Sequence, residues 1–324
     1  MAVDRIETTN DERGEAFADT PFGIGPASML QALWRAARML IDSDASLRCA
    51  GVAFFSFLAL FPLIAAAVIL FGLLADTALI DRIMIQAAAF LPEGPQELIR
   101  GQLEALTSQP SRGLGIGLFL TVGFALWSGS RGVNALVYAL TRAYKESGER
   151  AFLGGTLISI GLTLGGFAVA SVAIFAVAII PVVVSLVPMP LKAETLGLLL
   201  RWPLLALVVL VATLILYRLA PYRTAAKWRW LMPGAILATI LWMILSLGFS
   251  FYVENFSSYD STFGSLAAAV VLMLWMYYSS MVFVFGAGFN AELELLTMKD
   301  TTRGPPMPIG KRGAVVADTR PPGM

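Results

Sequence analysis

Six long apolar stretches are the feature that most constrains how this chain can fold. A transmembrane α-helix needs roughly 20 mostly apolar residues to cross the hydrocarbon core of a bilayer. Lipid offers no partner for backbone polar groups, so such stretches form helices that satisfy those groups internally. The sequence therefore predicts an all-α, polytopic membrane helix bundle of about six transmembrane helices. The predicted spans are Cys49–Leu74, Leu114–Leu140, Phe152–Val187, Trp202–Tyr217, Trp230–Val253 and Phe263–Phe289.

Composition narrows the class of protein and of chemistry. Hydrophobic residues make up 57% of the chain and charged residues 14%, against roughly a quarter charged in soluble domains. The net charge of +1 does not indicate a nucleic-acid partner, which requires a basic excess. The chain has no histidine and a single cysteine, Cys49, which excludes histidine-based zinc sites, Ser-His-Asp triads and intrachain disulfides. We expect no cofactor, no metal site and no enzymatic activity.

The chain divides into a membrane domain and two polar tails. Residues 1–26 lack the apolar core of a signal peptide, and residues 296–324 are rich in charge, proline, glycine and threonine. Such composition is typical of disorder. The sequence predicts disordered cytoplasmic tails at 1–26 and 296–324, flanking a six-helix transmembrane domain at 27–295.

Several segments have helical periodicity but too much charge to cross a membrane. Met29–Ile41 places apolar residues at helical spacing with arginines on another face, which predicts an amphipathic interfacial helix. Leu79–Phe90 and Pro95–Leu106 predict a two-helix cap on the outer side of the bundle, with a moving gate as the alternative. Three prolines, at 181, 188 and 190, are expected to end or kink the long third span.

Orientation follows from the lysines and arginines. With the amino terminus inside, 17 of the 23 fall in segments on the inner side. Cytoplasmic loops carry this excess in membrane proteins. We therefore expect a multi-pass membrane protein with both termini in the cytoplasm.

Arg131 is the most informative single residue. It lies inside the second span, flanked by Ser128, Ser130 and Asn134. A charge at this depth costs at least about 2.5–3.5 kcal/mol. Three interpretations stay open: a resident partner such as Glu292 or Glu294, a substrate anion or lipid headgroup in a cavity, or snorkelling to the inner surface. In the substrate interpretation, Arg131, Ser128, Ser130, Asn134 and Asn290 form the binding site.

Two further features carry weaker expectations. The polar loop before the last span contains Glu254, Asn255, Tyr259 and Asp260; it is either a plain hairpin loop or a stretch of backbone lining a cavity with cation or proton ligands. The spacing Gly113-x-x-x-Gly117 and Gly161-x-x-x-Gly165 favours close helix contacts.

Three stretches resemble the YihY/virulence factor BrkB family of bacterial inner-membrane proteins. They are Ala50 to Pro62, Leu126 to Gly132, and Asn255 to Leu266 followed by the end of the last span at Glu292. Here Ser257-Ser258-Tyr259-Asp260 replaces the Gly-Ser-Tyr-Asn of the pattern. The resemblance implies a six-helix fold located in the bacterial inner membrane. Members have been called virulence factors, transporters and, under an old label, ribonuclease BN. Without histidine or a metal-ligand cluster, this sequence does not support the ribonuclease label.

Two functions are consistent with these residues. The first is a transporter or lipid translocator whose partners are membrane lipids and an anionic small molecule or lipid headgroup, with Arg131 exposed alternately to each side. The second is a non-catalytic scaffold or assembly factor in envelope biogenesis, which would have a packed interior without a cavity. The sequence names neither substrate nor oligomeric state.

Overall fold

The protein is described here from a computed structural model that covers residues 17–42, 44–74, 111–148, 150–174, 191–255 and 265–320. Seven long helices and one short one account for most of these residues. They are α1 (Pro26–Asp42), α2 (Ala45–Leu74), α3 (Ser111–Ala143), α4 (Phe152–Ile174), α5 (Leu191–Leu219), α6 (Trp228–Asn255), α7 (Ser265–Glu294) and α8 (Val315–Asp318).

Six of these helices are long and apolar enough to cross a membrane. Their candidate spans are Ala45–Leu63, Ile116–Ala143, Phe152–Val172, Trp202–Leu219, Trp228–Tyr252 and Ala269–Glu294. The prediction of a polytopic helical bundle with about six spans is confirmed. Helix α5, which contains the fourth span, begins at Leu191, well before the predicted Trp202, because the charged residues near its start obscured its beginning. The predicted cap, Leu79–Phe90 with Pro95–Leu106, and the three prolines of the third stretch lie outside the described residues.

The amphipathic segment before the first span forms α1. Its small residues Ala32 and Ala36 are buried, whereas Leu30, Trp34 and Ile41 are exposed. The helix packs along α7, where a side chain at Gly288 would meet Met39. The predicted helix is present, and its alanine face, rather than its largest apolar residues, is the packed one.

The chain separates into two compact units, residues 55–129 and residues 1–54 with 130–324. Within the smaller unit, the Ser128 hydroxyl donates to the Phe55 carbonyl oxygen at 3.2 Å, and the rings of Phe57 and Phe61 meet edge to face at 5.1 Å. The larger unit contains the main core, in which Tyr217, Leu231, Val284 and neighbouring alanines are buried.

Helices α6 and α7 of the larger unit pack closely against each other. Gly234 and Gly286 face each other, so a Cβ added to either would collide with the carbonyl oxygen of the other. The glycine pairs that the sequence favoured for such contacts behave differently: a Cβ at Gly117, Gly161 or Gly165 would meet nothing within 4 Å in the described chain. The spacing alone does not report which glycines face a neighbour.

The segment after α7 does not match the predicted disordered tail. Residues 296–320 fold back onto the loop between α5 and α6, where Ala226 and Thr302 form an antiparallel bridge. The guanidinium of Arg312 is buried and donates to the carbonyls of Met307, Met298 and Ala317 at 2.7–2.9 Å. The polar composition of this segment suggested disorder because it has no apolar core of its own. The hydrogen bonds of Arg312 hold it in place instead. On the amino-terminal side, residues 17–26 are also ordered, with Ala18 and Ile24 buried.

Candidate functional site

Helix α3 carries the candidate site, and its geometry begins with Arg131. The Arg131 side chain is exposed on the surface of the described chain. It lies well inside the candidate span Ile116–Ala143. A cation here needs water, a counter-charge or a ligand, since hydrocarbon does not solvate it.

Tyr138 and Arg142 extend the face of α3 on which Arg131 lies. Each residue of an α-helix turns by about 100°, so positions seven and eleven residues on return to within about 20° of the first. With a rise of about 1.5 Å per residue, Arg142 lies about 16 Å from Arg131 along the helix axis. Arg142 belongs to the last turn of α3. One helix face therefore connects membrane depth with the end of the span through a cation, a tyrosine and a second cation.

The lower end of this face, which is the end that carries Arg142, is held by contacts between aromatic and cationic groups. Arg142 donates from its Nη2 to the Tyr138 hydroxyl at 2.9 Å. The Arg48 guanidinium, from the start of α2, stacks over the same ring at 3.9 Å from its centroid. In the sequence, Arg48 and Arg142 are two of the 17 lysines and arginines on the inner side, and nothing else marks them as a pair. The signal available was the i, i+4 spacing of Tyr138 and Arg142 on the face that carries Arg131. We call Arg131, Tyr138 and Arg142 the α3 stripe.

Of the other predicted ligands on α3, Asn134 and Ser130 lie next to this stripe. The Asn134 Oδ1 accepts a hydrogen bond from the Ser159 hydroxyl of α4 at 2.6 Å, which links the two helices. The Ser130 hydroxyl is buried and has no hydrogen-bond partner among the described residues. Buried hydroxyls are usually hydrogen-bonded, so the Ser130 hydroxyl retains an unused hydrogen-bonding capacity. Ser128 instead donates to a backbone carbonyl in the smaller unit.

Asn290 does not belong with these residues. It is fully buried, and its Oδ1 accepts from the Gly234 backbone N–H at 2.7 Å while its Nδ2 donates to the Leu231 carbonyl at 3.0 Å. These backbone groups flank Pro233, which lies inside α6 and lacks an N–H. Asn290 thus joins α7 to the proline-containing turn of α6, which is a structural role.

The two glutamates offered as resident partners of Arg131 both bind other cations. Glu292 contacts Lys145 Nζ at 2.8 Å and Arg35 at 3.9 Å. Glu294 is fully buried and accepts two hydrogen bonds from Arg223, at 3.1 and 2.7 Å. Both glutamates serve the packing of loops at the basic end of the bundle, the end that carries the α3–α4 turn, the α5–α6 loop and the carboxy-terminal segment.

Burial and pairing shift the pKa values of titratable groups at the basic end. Although burial lowers the pKa of the Arg223 guanidinium, the Glu294 carboxylate outweighs it and the pKa is raised. Burial raises the pKa of the Glu146 carboxyl, which accepts a hydrogen bond from the Val315 N–H at 2.7 Å. Groups with shifted pKa values are often found at catalytic sites. Here each has a structural partner, and the described residues include no cluster of three or more cysteines and carboxylates that could hold a metal ion.

The outer polar loop is described only in part. Glu254 and Asn255 form the end of α6, and their side chains lie outside the described residues, as do Tyr259 and Asp260 entirely. The expectation that these four residues line a cavity therefore stays a prediction.

Comparison with known proteins places the chain in a family. A family model described as "Virulence factor BrkB" matches residues 36–308. The ribonuclease-like protein YfkH of Bacillus subtilis is 33% identical over 265 residues, which cover 76% of this chain and 89% of that protein. Shorter matches include UPF0761 membrane proteins of Tolumonas auensis, 36% identical over 28% of this chain and 30% of the relative, and of Alteromonas mediterranea, 43% identical over 26% and 28%. No solved structure matches. The chain belongs to the virulence factor BrkB family of multi-pass membrane proteins.

Proposed function

We propose that this protein moves an anionic lipid or a small anion across the bacterial inner membrane, with the α3 stripe lining the path. The observation that carries the proposal is the alignment of Arg131, Tyr138 and Arg142 on one face of a membrane-spanning helix. An anionic group following this face would pass from the interfacial guanidinium, along the tyrosine hydroxyl, to a guanidinium at hydrocarbon depth. Each step offers a hydrogen-bond donor to the anion.

Arg131 is the deepest ligand in this proposal. Its cost of insertion, at least about 2.5–3.5 kcal/mol, is offset when an anion pairs with it in a region of low dielectric. The Ser130 hydroxyl, which has no partner in the described structure, would add a second donor beside it. The protein then acts as a carrier without bond chemistry, and the ribonuclease-like name is that of the relative YfkH.

Reconstitution into liposomes tests the proposal. A fluorescently labelled phosphatidylglycerol in the outer leaflet, and separately an entrapped small anion, report lipid and anion movement. Arg131→Ala is expected to abolish the movement supported by the unchanged protein, and Arg131→Lys to restore part of it, because an ammonium keeps the charge without the planar fork. Lys311→Gln is the matched control, because it removes an equal charge from an exposed side chain of the carboxy-terminal segment.

Two results would contradict the proposal. If Arg131→Ala inserts, folds and transports normally, Arg131 is not a substrate ligand. If the unchanged protein moves neither labelled lipid nor anion while its folding is intact, a scaffold or assembly role in envelope biogenesis is favoured instead.

The orientation within the membrane is part of the proposal. The basic end of the bundle, with both described chain ends, is placed in the cytoplasm because such loops carry the lysine and arginine excess. Cys49 is the single cysteine of the sequence and is fully buried. In a Cys49→Ser background, a cysteine that replaces Lys311 can therefore be labelled selectively. A membrane-impermeant maleimide should label it only after cells are permeabilised, and should label a cysteine at residue 112, at the opposite end of α3, in intact cells. The reverse pattern would overturn the orientation.

A further inference from the structure

A cavity opens at the basic end of the larger unit, beside the lower end of the α3 stripe. Its volume is about 360 Å³, and its lining includes Arg48, Arg142, Asp44, Ala139, Met39 and Val284. These residues come from α1, α2, α3, α7 and the turn between α1 and α2. The cavity is thus built where four helices meet and not on a single surface loop.

Two guanidinium groups that line this cavity, those of Arg48 and Arg142, contact the same aromatic ring. Arg48 stacks over Tyr138, and Arg142 both donates to its hydroxyl and lies 5.2 Å from its centroid. A tyrosine face attracts cations, so the ring holds two like charges near each other. Their mutual repulsion is relieved when an anion bridges them.

The acidic counter-charge in the lining is incomplete. Asp44 contacts Arg48 at 3.4 Å, and its side chain is 77% exposed to solvent, so this pair is weak. Among the described residues, Asp44 forms no hydrogen bond or ion pair with Arg142, which donates instead to the Tyr138 hydroxyl. Two arginines and one solvated carboxylate leave a net positive pocket.

Position and lining chemistry indicate what kind of anion would fill it. Arg48 lies near the start of the candidate span that begins at Ala45, and Arg142 is next to the last residue of the span that ends at Ala143, which is headgroup depth. The rest of the wall is apolar, formed by Ala139, Met39 and Val284. Arginine forks match phosphate oxygens, and the apolar wall suits the glycerol and first methylenes of a lipid.

We propose that this cavity binds the phosphate of an anionic membrane lipid between Arg48 and Arg142. The site deepens the proposed function, because it names the group that would enter the α3 stripe, and it rests on that function for the later movement of the lipid. Binding at equilibrium needs no movement, so the two proposals can fail separately.

Native mass spectrometry of the full chain, released from detergent with added lipid, tests the site. Phosphatidylglycerol should bind, and the double variant Arg48→Gln with Arg142→Gln should bind it roughly ten- to a hundredfold more weakly, the loss that charged hydrogen bonds predict. Lys311→Gln, which changes an exposed charge elsewhere, should bind normally. Arg142→Lys should be intermediate, because it keeps charge and loses the fork.

Competition with inorganic phosphate identifies the source of the phosphate. Phosphatidylglycerol that stays bound in the presence of inorganic phosphate supports a lipid site, whereas phosphate binding without any lipid binding overturns it. Equal lipid binding by the double variant and the unchanged protein also overturns it. Tyr138→Phe separates loss of binding from misfolding. This variant keeps the ring under Arg48 and loses the hydroxyl that accepts from Arg142. Lipid binding should therefore weaken while the thermal unfolding temperature stays unchanged. If the double variant loses binding while Arg131→Ala transports normally, the site stands and the stripe mechanism falls.

Discussion

The carboxylate of Glu294 accepts two hydrogen bonds from the guanidinium of Arg223, and both side chains are almost completely buried. The Thr301 hydroxyl donates to the same carboxylate at 2.6 Å, and the Tyr144 ring lies 4.7 Å from the guanidinium carbon. Four parts of the chain meet here: the α3–α4 turn, the α5–α6 loop, the end of α7 and the segment after it.

Glu294→Ala is therefore expected to be severely destabilising. Removing one partner of a buried pair leaves an uncompensated charge and costs about 3–5 kcal/mol. Reversible unfolding of the purified protein in mixed micelles, followed by tryptophan fluorescence, measures the free energy of unfolding.

A second ion pair provides the comparison. Lys299 and Asp19 lie 2.6 Å apart, but their side chains are 41% and 66% exposed. Asp19→Asn should therefore change the free energy of unfolding far less than Glu294→Ala does, because solvent screens an exposed pair. Equal effects of Glu294→Ala and Asp19→Asn would show that burial does not decide the strength of the pair.

Arg312→Met should release the carboxy-terminal segment while leaving the six spans folded. The guanidinium donates to backbone carbonyls that precede and follow Arg312 within the segment, and methionine fills the space without replacing those donors. Hydrogen–deuterium exchange should show faster exchange over residues 298–320 and unchanged exchange in α6 and α7.

Lys311→Gln is the matched control for this release, because the neighbouring Lys311 side chain is exposed. Slow exchange retained throughout residues 298–320 in the Arg312 variant would mean that the bridge between Ala226 and Thr302 and the bond from Val315 to Glu146 suffice to hold the segment.

Asp318 makes the neighbouring loop sensitive to acid. Partial burial opposes ionisation, but hydrogen bonds from the backbone N–H groups of Arg312, Gly310, Ala314 and Gly313 outweigh it and hold the pKa of the carboxyl below its ordinary value. A lowered folded-state pKa means that ionised Asp318 stabilises the loop above about pH 3.8 and that this stabilisation is lost as the pH falls through the folded-state pKa.

Exchange at Gly310, Arg312 and Gly313, corrected for the intrinsic pH dependence, should therefore accelerate on acidification below pH 4. Asp318→Asn should remove this pH dependence, because an amide does not titrate there. An unchanged acid response in the Asp318→Asn protein would assign the effect to another carboxyl, with Asp300 the first candidate, since its pKa is also lowered.

The membrane spans could be predicted because their signal is local. Each apolar stretch reports its own helix, and α6 and α7 lie close to the predicted Trp230–Val253 and Phe263–Phe289. The packed carboxy-terminal segment could not be predicted in this way. Its order depends on Arg312 reaching carbonyls five to fourteen residues away, and its polar composition is the same as that of a disordered chain.

The candidate site was predictable only in part for the same reason. Arg131 stands out within one helix, and the stripe continues through Tyr138 and Arg142 at helical spacing. Arg48 comes from another helix, and no pattern in the sequence pairs it with Tyr138. Asn290 has the depth and polarity expected of a ligand, yet its amide is occupied by the backbone beside Pro233, which only the packing of α6 on α7 reveals.

The same packing predicts opposite effects for two kinds of glycine. Gly286→Ala would drive a methyl group into the Gly234 carbonyl oxygen, at 2.5 Å, and against Ala238. Backbone atoms cannot move aside as a side chain end can, so α6 and α7 must separate, and overpacking of this kind costs about 1–3 kcal/mol. Gly161→Ala adds its methyl group to open space on α4, and alanine is favoured over glycine within a helix by up to about 1 kcal/mol. Unfolding in mixed micelles should show Gly286→Ala destabilised and Gly161→Ala unchanged or stabilised; destabilisation of both to the same extent would mean that α4 also packs through its glycines in the membrane.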